Sequence, residues 1–297
     1  MTIATLMQHF TNGISLGSLY ALIAIGYTMV YGILRLINFA HGDIVMMATY
    51  FAFFGIAVFM IPWYITFPLV IILTALLGIA VERTAYRTLR DAPRSSILIS
   101  AIGVSYLLEN LATYLFSGVP KAFPEFKAMT TPFVIGGVSI QPLTIVIPIV
   151  AIVLMTVLVF IINKTRLGMS MRAVSKDYET ARLMGIEING VISATFGIGS
   201  AIAAVGALLW GIKYPGIAPL MGVMPGLKCF IAAVIGGIGN IRGAMLGGFI
   251  LGLAEVLLVA FLPDLSGYRD AIAFIILIII LLFRPTGLLG EKQTEKV

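Results

Sequence analysis

Pro142 to Ile162 contains no charged residue, and neither does Val191 to Ile212. About 20 apolar residues in a helix match the hydrocarbon core of a bilayer, so each run reads as a membrane-crossing helix. The segment between them has the opposite character. From Lys164 to Glu187 it carries five of the nineteen Lys and Arg, namely Lys164, Arg166, Arg172, Lys176 and Arg182. So basic a loop between two spans belongs on the cytoplasmic side. With 60% hydrophobic and 11% charged residues in 297, an ordinary soluble domain is excluded. The chain is expected to be an all-α integral membrane protein, one transmembrane domain over residues 1–297 built as a polytopic bundle of eight or nine helices.

The expected spans are Phe10–Ile33, Ile37–Met60, Tyr64–Ala80, Ser96–Phe116, Pro142–Ile162, Val191–Ile212, Gly226–Ile238, Gly243–Leu262 and Tyr268–Phe283. The seventh is too short to cross as a straight helix, so it is either extended by the Gly/Pro stretch before it or broken. Placing the N-terminus outside and the C-terminus in the cytoplasm leaves five cations outside: Lys121, Lys127, Lys213, Lys228 and Arg269. The rest fall inside, as the positive-inside bias requires. The net charge of +6 then reports orientation and contact with anionic lipid. It is no nucleic-acid footprint, because the cations are scattered over several loops. The first residues hold no basic stretch of the kind that precedes a cleaved leader, so the first span is expected to stay in the membrane. The single Cys229 reads as a small buried apolar residue.

The largest outer loop, Ser117–Gln141, is rich in Pro and Gly and reads either as a connector or as a landing surface for something arriving from outside. Gly13 and Gly17, Gly239, Gly243 and Gly247, Gly248 and Gly252, and Ser193, Gly197 and Ala201 recur at four-residue spacing. That spacing lines small residues on one face and lets helix backbones approach closely. A faint echo links Gly32–Asp43, with Asn38, His41 and Gly42, to Gly236–Gly243, with Gly237, Gly239 and Asn240. Gly-interrupted segments in two halves of a transporter point to a substrate path between them. They serve equally as packing motifs.

Within the charged loop, Ser175 to Gly185 reads as one short helix. Ser175 suits the N-cap, Asp177 and Glu179 sit where the helix dipole favours negative charge, Arg182 where it favours positive, and Gly185 fits the stop. Tyr178, Ala181 and Met184 fall on one mildly apolar face. Such a helix fits a groove on another protein or the lipid headgroup layer, and the sequence pattern leaves both open.

Glu179-Thr-Ala181-Arg-Leu-Met-Gly185-Ile186 resembles the cytoplasmic coupling segment of ABC-importer permeases. Gly17–Gly32, Ile37–Asp43, Ala233–Gly248 and Arg284–Gly290 look like the branched-chain amino acid permeases of that group, of the LivH type. The resemblance implies a permease subunit that is not an enzyme, sits in the bacterial inner membrane and carries leucine, isoleucine or valine. It implies two ATP-binding cassette subunits, a second permease of the M type and a periplasmic amino-acid-binding protein. It implies no cofactor in this chain, ATP being used by the partners. The coupling loop would span 164–188, with Ala173, Ser175, Asp177, Glu179, Ala181, Arg182, Gly185 and Ile186 facing the ATPase. The path would run by Asn38, His41, Gly42, Asp43, Gly236, Gly237, Gly239, Asn240 and Glu255.

Asp43, Glu109 and Glu255 lie in or beside spans, where ionisable groups are functional candidates. Asp43 and His41 are expected near the cytoplasmic end of the second span, where helix capping would also explain them, and Glu109 is expected to pair with a Tyr or Asn. A dense acid/base relay is missing from the sequence. That weighs against the alternative, an ion- or proton-coupled transporter or channel acting without an ATPase. The sequence holds no phosphate-binding Gly-x4-Gly-Lys-[Ser/Thr] loop and no His/Cys metal motif.

Overall fold

The computed structural model describes residues 3–90 and 92–290. Among the described residues, eight helices are long and apolar enough to cross a membrane. They are α1 (Ile3–Leu34), α2 (His41–Val58), α3 (Trp63–Leu89), α4 (Ser95–Phe116), α5 (Pro142–Lys164), α8 (Ile188–Lys213), α10 (Ile241–Phe261) and α11 (Arg269–Phe283 with the 3-10 turns Pro263–Tyr268 before it). Between α5 and α8 lie two short helices, α6 (Arg166–Lys176) and α7 (Tyr178–Leu183). A shorter apolar helix, α9 (Val223–Gly236), precedes α10.

α1 is the core: 94% of its apolar window is buried, against 17% for α5 and 6% for the α11 span. An all-round apolar helix whose faces carry small residues can be enclosed by neighbours, whereas bulky aliphatic faces suit lipid. Gly13 and Gly17 of α1 meet Phe249, Gly252 and Leu253 of α10 so closely that a Cβ on Gly17 would lie 2.7 Å from the Phe249 Cα. The spacing of Gly13 with Gly17 and of Gly248 with Gly252 is therefore a packing seam between α1 and α10, whereas Gly243 and Gly247 meet Gly236 and Ala232 of α9 and Gly197 meets Ile79 of α3. Proline is accommodated at N1 of α5 (Pro142), where no intrahelical N–H is needed.

The two ends of the bundle are distinct. At one end, the Tyr178 hydroxyl donates to the Ile33 carbonyl, Arg90 reaches Asn189, and Leu288 and Leu289 donate backbone N–H to Ile235 and Gly236. That end gathers the segments after α1, α3, α5, α9 and α11. At the other end, Gln8 and Ser139 exchange side-chain and backbone hydrogen bonds, and β1 (Lys121–Ala122) pairs with β4 (Gly216–Ile217). The hairpin β2 (Phe133–Ile135) and β3 (Val138–Ile140) also lies there, turning through Gly136 and Gly137, both with positive φ. Two left-handed residues in a two-residue turn match the twist of a hairpin.

The seventh expected span is a short helix preceded by a non-helical stretch. Residues 214–222 hold no helix, β4 lying at the hairpin end of the bundle, and α9 follows with 14 residues, roughly 21 Å. Irregular backbone at that depth is tolerated because it is covered by protein: Gly222 lies against Gly42, and Gly226 against the Gly42 Cα.

One depth expectation is corrected. His41 and Asp43 do begin α2, but not near the bundle's end. The His41 ring sits against Gly26 and is hydrogen-bonded to the Ile23 carbonyl. Gly26 is eight residues, roughly 12 Å, inside the end of α1. Residues 35–40 fold back into the bundle before α2 starts, with Arg35 in the left-handed region (φ 53) at the reversal.

Candidate functional site

The charged segment folds as two helices rather than one. Thr165 caps α6, its hydroxyl accepting from Gly168 N at 3.1 Å. Ser175 is a correction to the sequence reading: it lies in the last turn of α6, its hydroxyl donating to the Arg172 carbonyl at 2.9 Å. Asp177 is the N-cap of α7, accepting from the Glu179 and Thr180 amides at 3.0 and 3.1 Å and from the Thr180 hydroxyl at 2.9 Å. A carboxylate with three donors and the helix dipole in its favour outcompetes a lone serine hydroxyl. The end of α7 is a Schellman motif: Gly185 N donates to Arg182 O, Ile186 N to Ala181 O, and Gly185 has φ +78.

The apolar face divides differently from the sequence expectation. Tyr178 and Ala181 point into the bundle, and Ala173 and Ile186 pack partly buried against its core. Burial pushes the Tyr178 phenol up, with Arg90 and Arg35 pulling the other way, so it keeps the proton it donates to Ile33. Leu183 and Met184 are 87% and 79% exposed, flanked by exposed Glu179 and Arg182. The segment is a small stage anchored by Tyr178 and Ala181, presenting an apolar tip. Asp177→Ala is expected to loosen α7 by about 1 kcal/mol. Amide exchange would speed up at residues 179–185 while α6 and α8 stay protected, and unchanged exchange would refute the cap.

The proposed path residues fall in three places. Asn38 and His41 are buried, Asn38 accepting from the Tyr86 hydroxyl at 2.9 Å and His41 lying beside Tyr27. Gly42 and Asp43 line a cavity of about 190 Å3 with Tyr27, Ser105 and Glu109. There Ser105 donates to Asp43 at 2.5 Å. Glu109 is not paired with the expected Tyr or Asn; it lines the same cavity, and its carboxylate makes no hydrogen bond among the described residues. Gly236 and Gly237 pack against Gly243 and the 287–290 turn, and Gly239 touches Gly32, so the two echoed motifs meet at their glycines. Asn240 caps α10, accepting from Gly243 N, and donates to Leu289 O. Gly239 and Asn240 border a cavity of about 610 Å3 that also receives Arg35, Arg172, Lys176 and Arg242.

Glu255 lies apart from both, in a charge network the sequence reading missed. Its carboxylate accepts from the Tyr20 hydroxyl at 2.8 Å and pairs with Lys228 at 2.7 Å. Lys228 also reaches Asp270 at 2.6 Å. Lys228 is thus a buried residue of α9 and not an outer-loop cation. Glu82 was likewise missed: fully buried, it accepts from Ser193 at 2.5 Å and forms an ion pair with Arg90. An acid inside an apolar helix demands a partner, which is the signal that could have found both. Cys229 is buried, as expected.

Residues 9–281, nearly the whole bundle, match the family described as branched-chain amino acid transport system / permease component. The chain belongs to this family. It is 45% identical over 98% of both chains to the high-affinity branched-chain amino acid transport system permease protein BraD of Pseudomonas aeruginosa. It is 43% identical to the permease protein LivH of Escherichia coli, over 98% of this chain and 97% of that one. A probable branched-chain amino acid transport permease of Methanocaldococcus jannaschii is 27% identical over 92% of this chain and 89% of its own.

Proposed function

We propose that this permease is the membrane path of an ATP-driven importer that moves branched-chain amino acids across the bacterial inner membrane. Of two ATP-binding subunits one grips α6 and α7, a second permease of the M type completes the path, and a periplasmic binding protein delivers the substrate. The N-terminus and the 117–141 hairpin face outward, and α7 and the C-terminus face the cytoplasm. The chain itself does no catalysis; ATP is consumed by its partners.

The observation that carries this reading is α7: a helix capped at both ends, anchored to the bundle by Tyr178 and Ala181, and offering Leu183 and Met184 to solvent. A lipid-surface helix would lay its apolar residues along one membrane-facing side; here they sit at the free tip. Affinity purification of the tagged chain from native membranes is expected to recover the two ATPases and the second permease. Vesicles holding that complex, given binding protein, are expected to accumulate leucine only with ATP inside the coupled compartment.

One observation favours the second reading, an ion-coupled carrier: Asp43 and Glu109 share a cavity. It predicts leucine flux through vesicles that contain this chain alone. Such flux would sink the ATP-driven reading.

A further inference from the structure

The network around Glu255 opens onto a cavity of about 340 Å3, inside the range of roughly 300–1,000 Å3 typical of small-molecule sites. It lies toward the end opposite α7, between the final third of α10, the first turn of α11, the start of α9 and the end of α8. Two cations and two carboxylates meet there, Lys228, Arg269, Glu255 and Asp270, so the cavity is neutral overall.

The four charges are not equivalent. Lys228 and Glu255 are 7% and 4% exposed and have close partners, each other, Asp270 and Tyr20. Arg269 and Asp270 are about half exposed, at 47% and 51% of their side chains. Arg269 meets the network only through Nε, 3.5 Å from Glu255, which is too long for a good hydrogen bond. Its terminal guanidinium nitrogens have no partner among the described residues, and Asp270 uses one oxygen for Lys228. A planar guanidinium and a carboxylate with a spare oxygen, held on adjacent residues, match a ligand with a carboxylate and an ammonium on one carbon. Trp210, Tyr214, Met224 and Leu16 supply an apolar wall for that ligand's side chain.

We propose that this cavity binds the α-ammonium and α-carboxylate of the transported amino acid, Arg269 taking the carboxylate and Asp270 the ammonium. The inference rests on the import reading and names where the substrate is first held by this chain. Buried charges are costly to assemble, and apolar packing would serve stability as well or better. A neutral set of four charges is suited to a zwitterion, whose entry leaves the net charge of the cavity unchanged. Lys228 and Glu255 act as positioning residues: Lys228 holds Asp270, and Glu255 holds Lys228 and Tyr20.

Trp210 stands in the cavity wall and is one of two tryptophans in the chain. The test uses the whole importer in nanodiscs, without ATP or binding protein, carrying Trp63→Phe in this subunit. L-Leucine is titrated against tryptophan emission, with a complex that also carries Trp210→Phe subtracting the partners' signal. A saturable Trp210 response to L-leucine is expected, and none to 4-methylpentanoate or 3-methylbutylamine, which lack one charged group each. Arg269→Gln and Asp270→Asn are each expected to raise the half-saturating concentration by about tenfold or more, with unchanged elution of the complex. If the same complex, placed in vesicles with binding protein, takes up leucine with ATP yet Trp210 gives no response, or gives one that neither substitution shifts, the cavity assignment is overturned and the import reading stands. If the complex takes up no leucine at all, both are overturned.

Discussion

With Leu183 and Met184 both changed to aspartate, the permease is expected to insert and fold normally yet lose its ATP-binding partners and ATP-driven uptake. Neither side chain supports the bundle: they are 87% and 79% exposed, beyond the point where Ala181 and Tyr178 tie α7 down. Their removal therefore leaves the anchors, the Asp177 cap and the Schellman end intact. If they are the groups buried when an ATPase closes over this end, each contributes about 1.5–3 kcal/mol on full burial. Losing both weakens docking on the order of a hundredfold or more, and two carboxylates left in an apolar groove weaken it further. Tagged variant complexes would be purified in parallel with wild type, scoring ATPase recovery, uptake and the elution profile of the permease. Wild-type recovery and uptake in the double variant would remove α7's tip from the coupling role. Leu183→Ala alone should give an intermediate loss, because it forfeits burial without adding charge.

The distribution of roles within 164–188 was only partly legible in the sequence. That a charged, helical, Gly-terminated element sits between two spans follows from charge and run length, because span length is fixed by bilayer thickness. The split at Asp177 did not follow. Ser175 and Asp177 are both good caps, and the choice depended on Thr165 starting an earlier helix that runs through Ser175. Ala181 and Leu183 are both apolar and two residues apart; which one faces the bundle is set by the Tyr178–Ile33 hydrogen bond, a contact between residues 145 apart in the chain. For this reason a bulky substitution at Ala181 probes packing against the bundle, and the tip residues are the sharper probe of docking.

Depth was less legible than length. Hydropathy marks how many residues cross, and it cannot see that 35–40 fold inward and start α2 beside Gly26. Nor can it pair charges across the bundle. Lys228 and Arg269 look like outer-loop cations when counted along the chain. Once α9, α10 and α11 are brought together, both converge on Glu255. The glycine spacing was the most informative pattern, because a four-residue repeat of small residues has a geometric meaning independent of the neighbour's identity. Its partner had to come from the structure: the face on α1 is matched to the face on α10.

That pairing carries the second large expectation: Gly252→Leu is expected to abolish accumulation of folded permease. A Cβ at Gly252 would overlap the backbone of Gly17, and one at Gly248 would lie 2.6 Å from Ala21 N. The seam is therefore closed at both glycines, and the helix face on either side of Gly252 has no slack for a larger side chain. The helices must move apart. In lipid there is no hydrophobic drive to push them back together; association rests on close van der Waals contact, and even a gap of 0.5–1 Å forfeits roughly a quarter to a half of it. Overpacking of this kind costs about 1–3 kcal/mol or more by itself. Separation of α10 from α1 also draws Glu255 away from Tyr20, now 2.8 Å apart, and losing a hydrogen bond to a charged group adds about 1.5–3 kcal/mol. Together these approach the roughly 5–15 kcal/mol that holds a folded protein together. The monodisperse peak in detergent should fall by more than about tenfold, with Gly252→Ala between it and wild type because its single methyl already meets Gly17. Gly103, with nothing within 4 Å of its Cβ position, supplies the control: Gly103→Leu faces open space and should accumulate as wild type does. A Gly252→Leu protein that elutes like wild type would show that α1 and α10 do not meet along this seam.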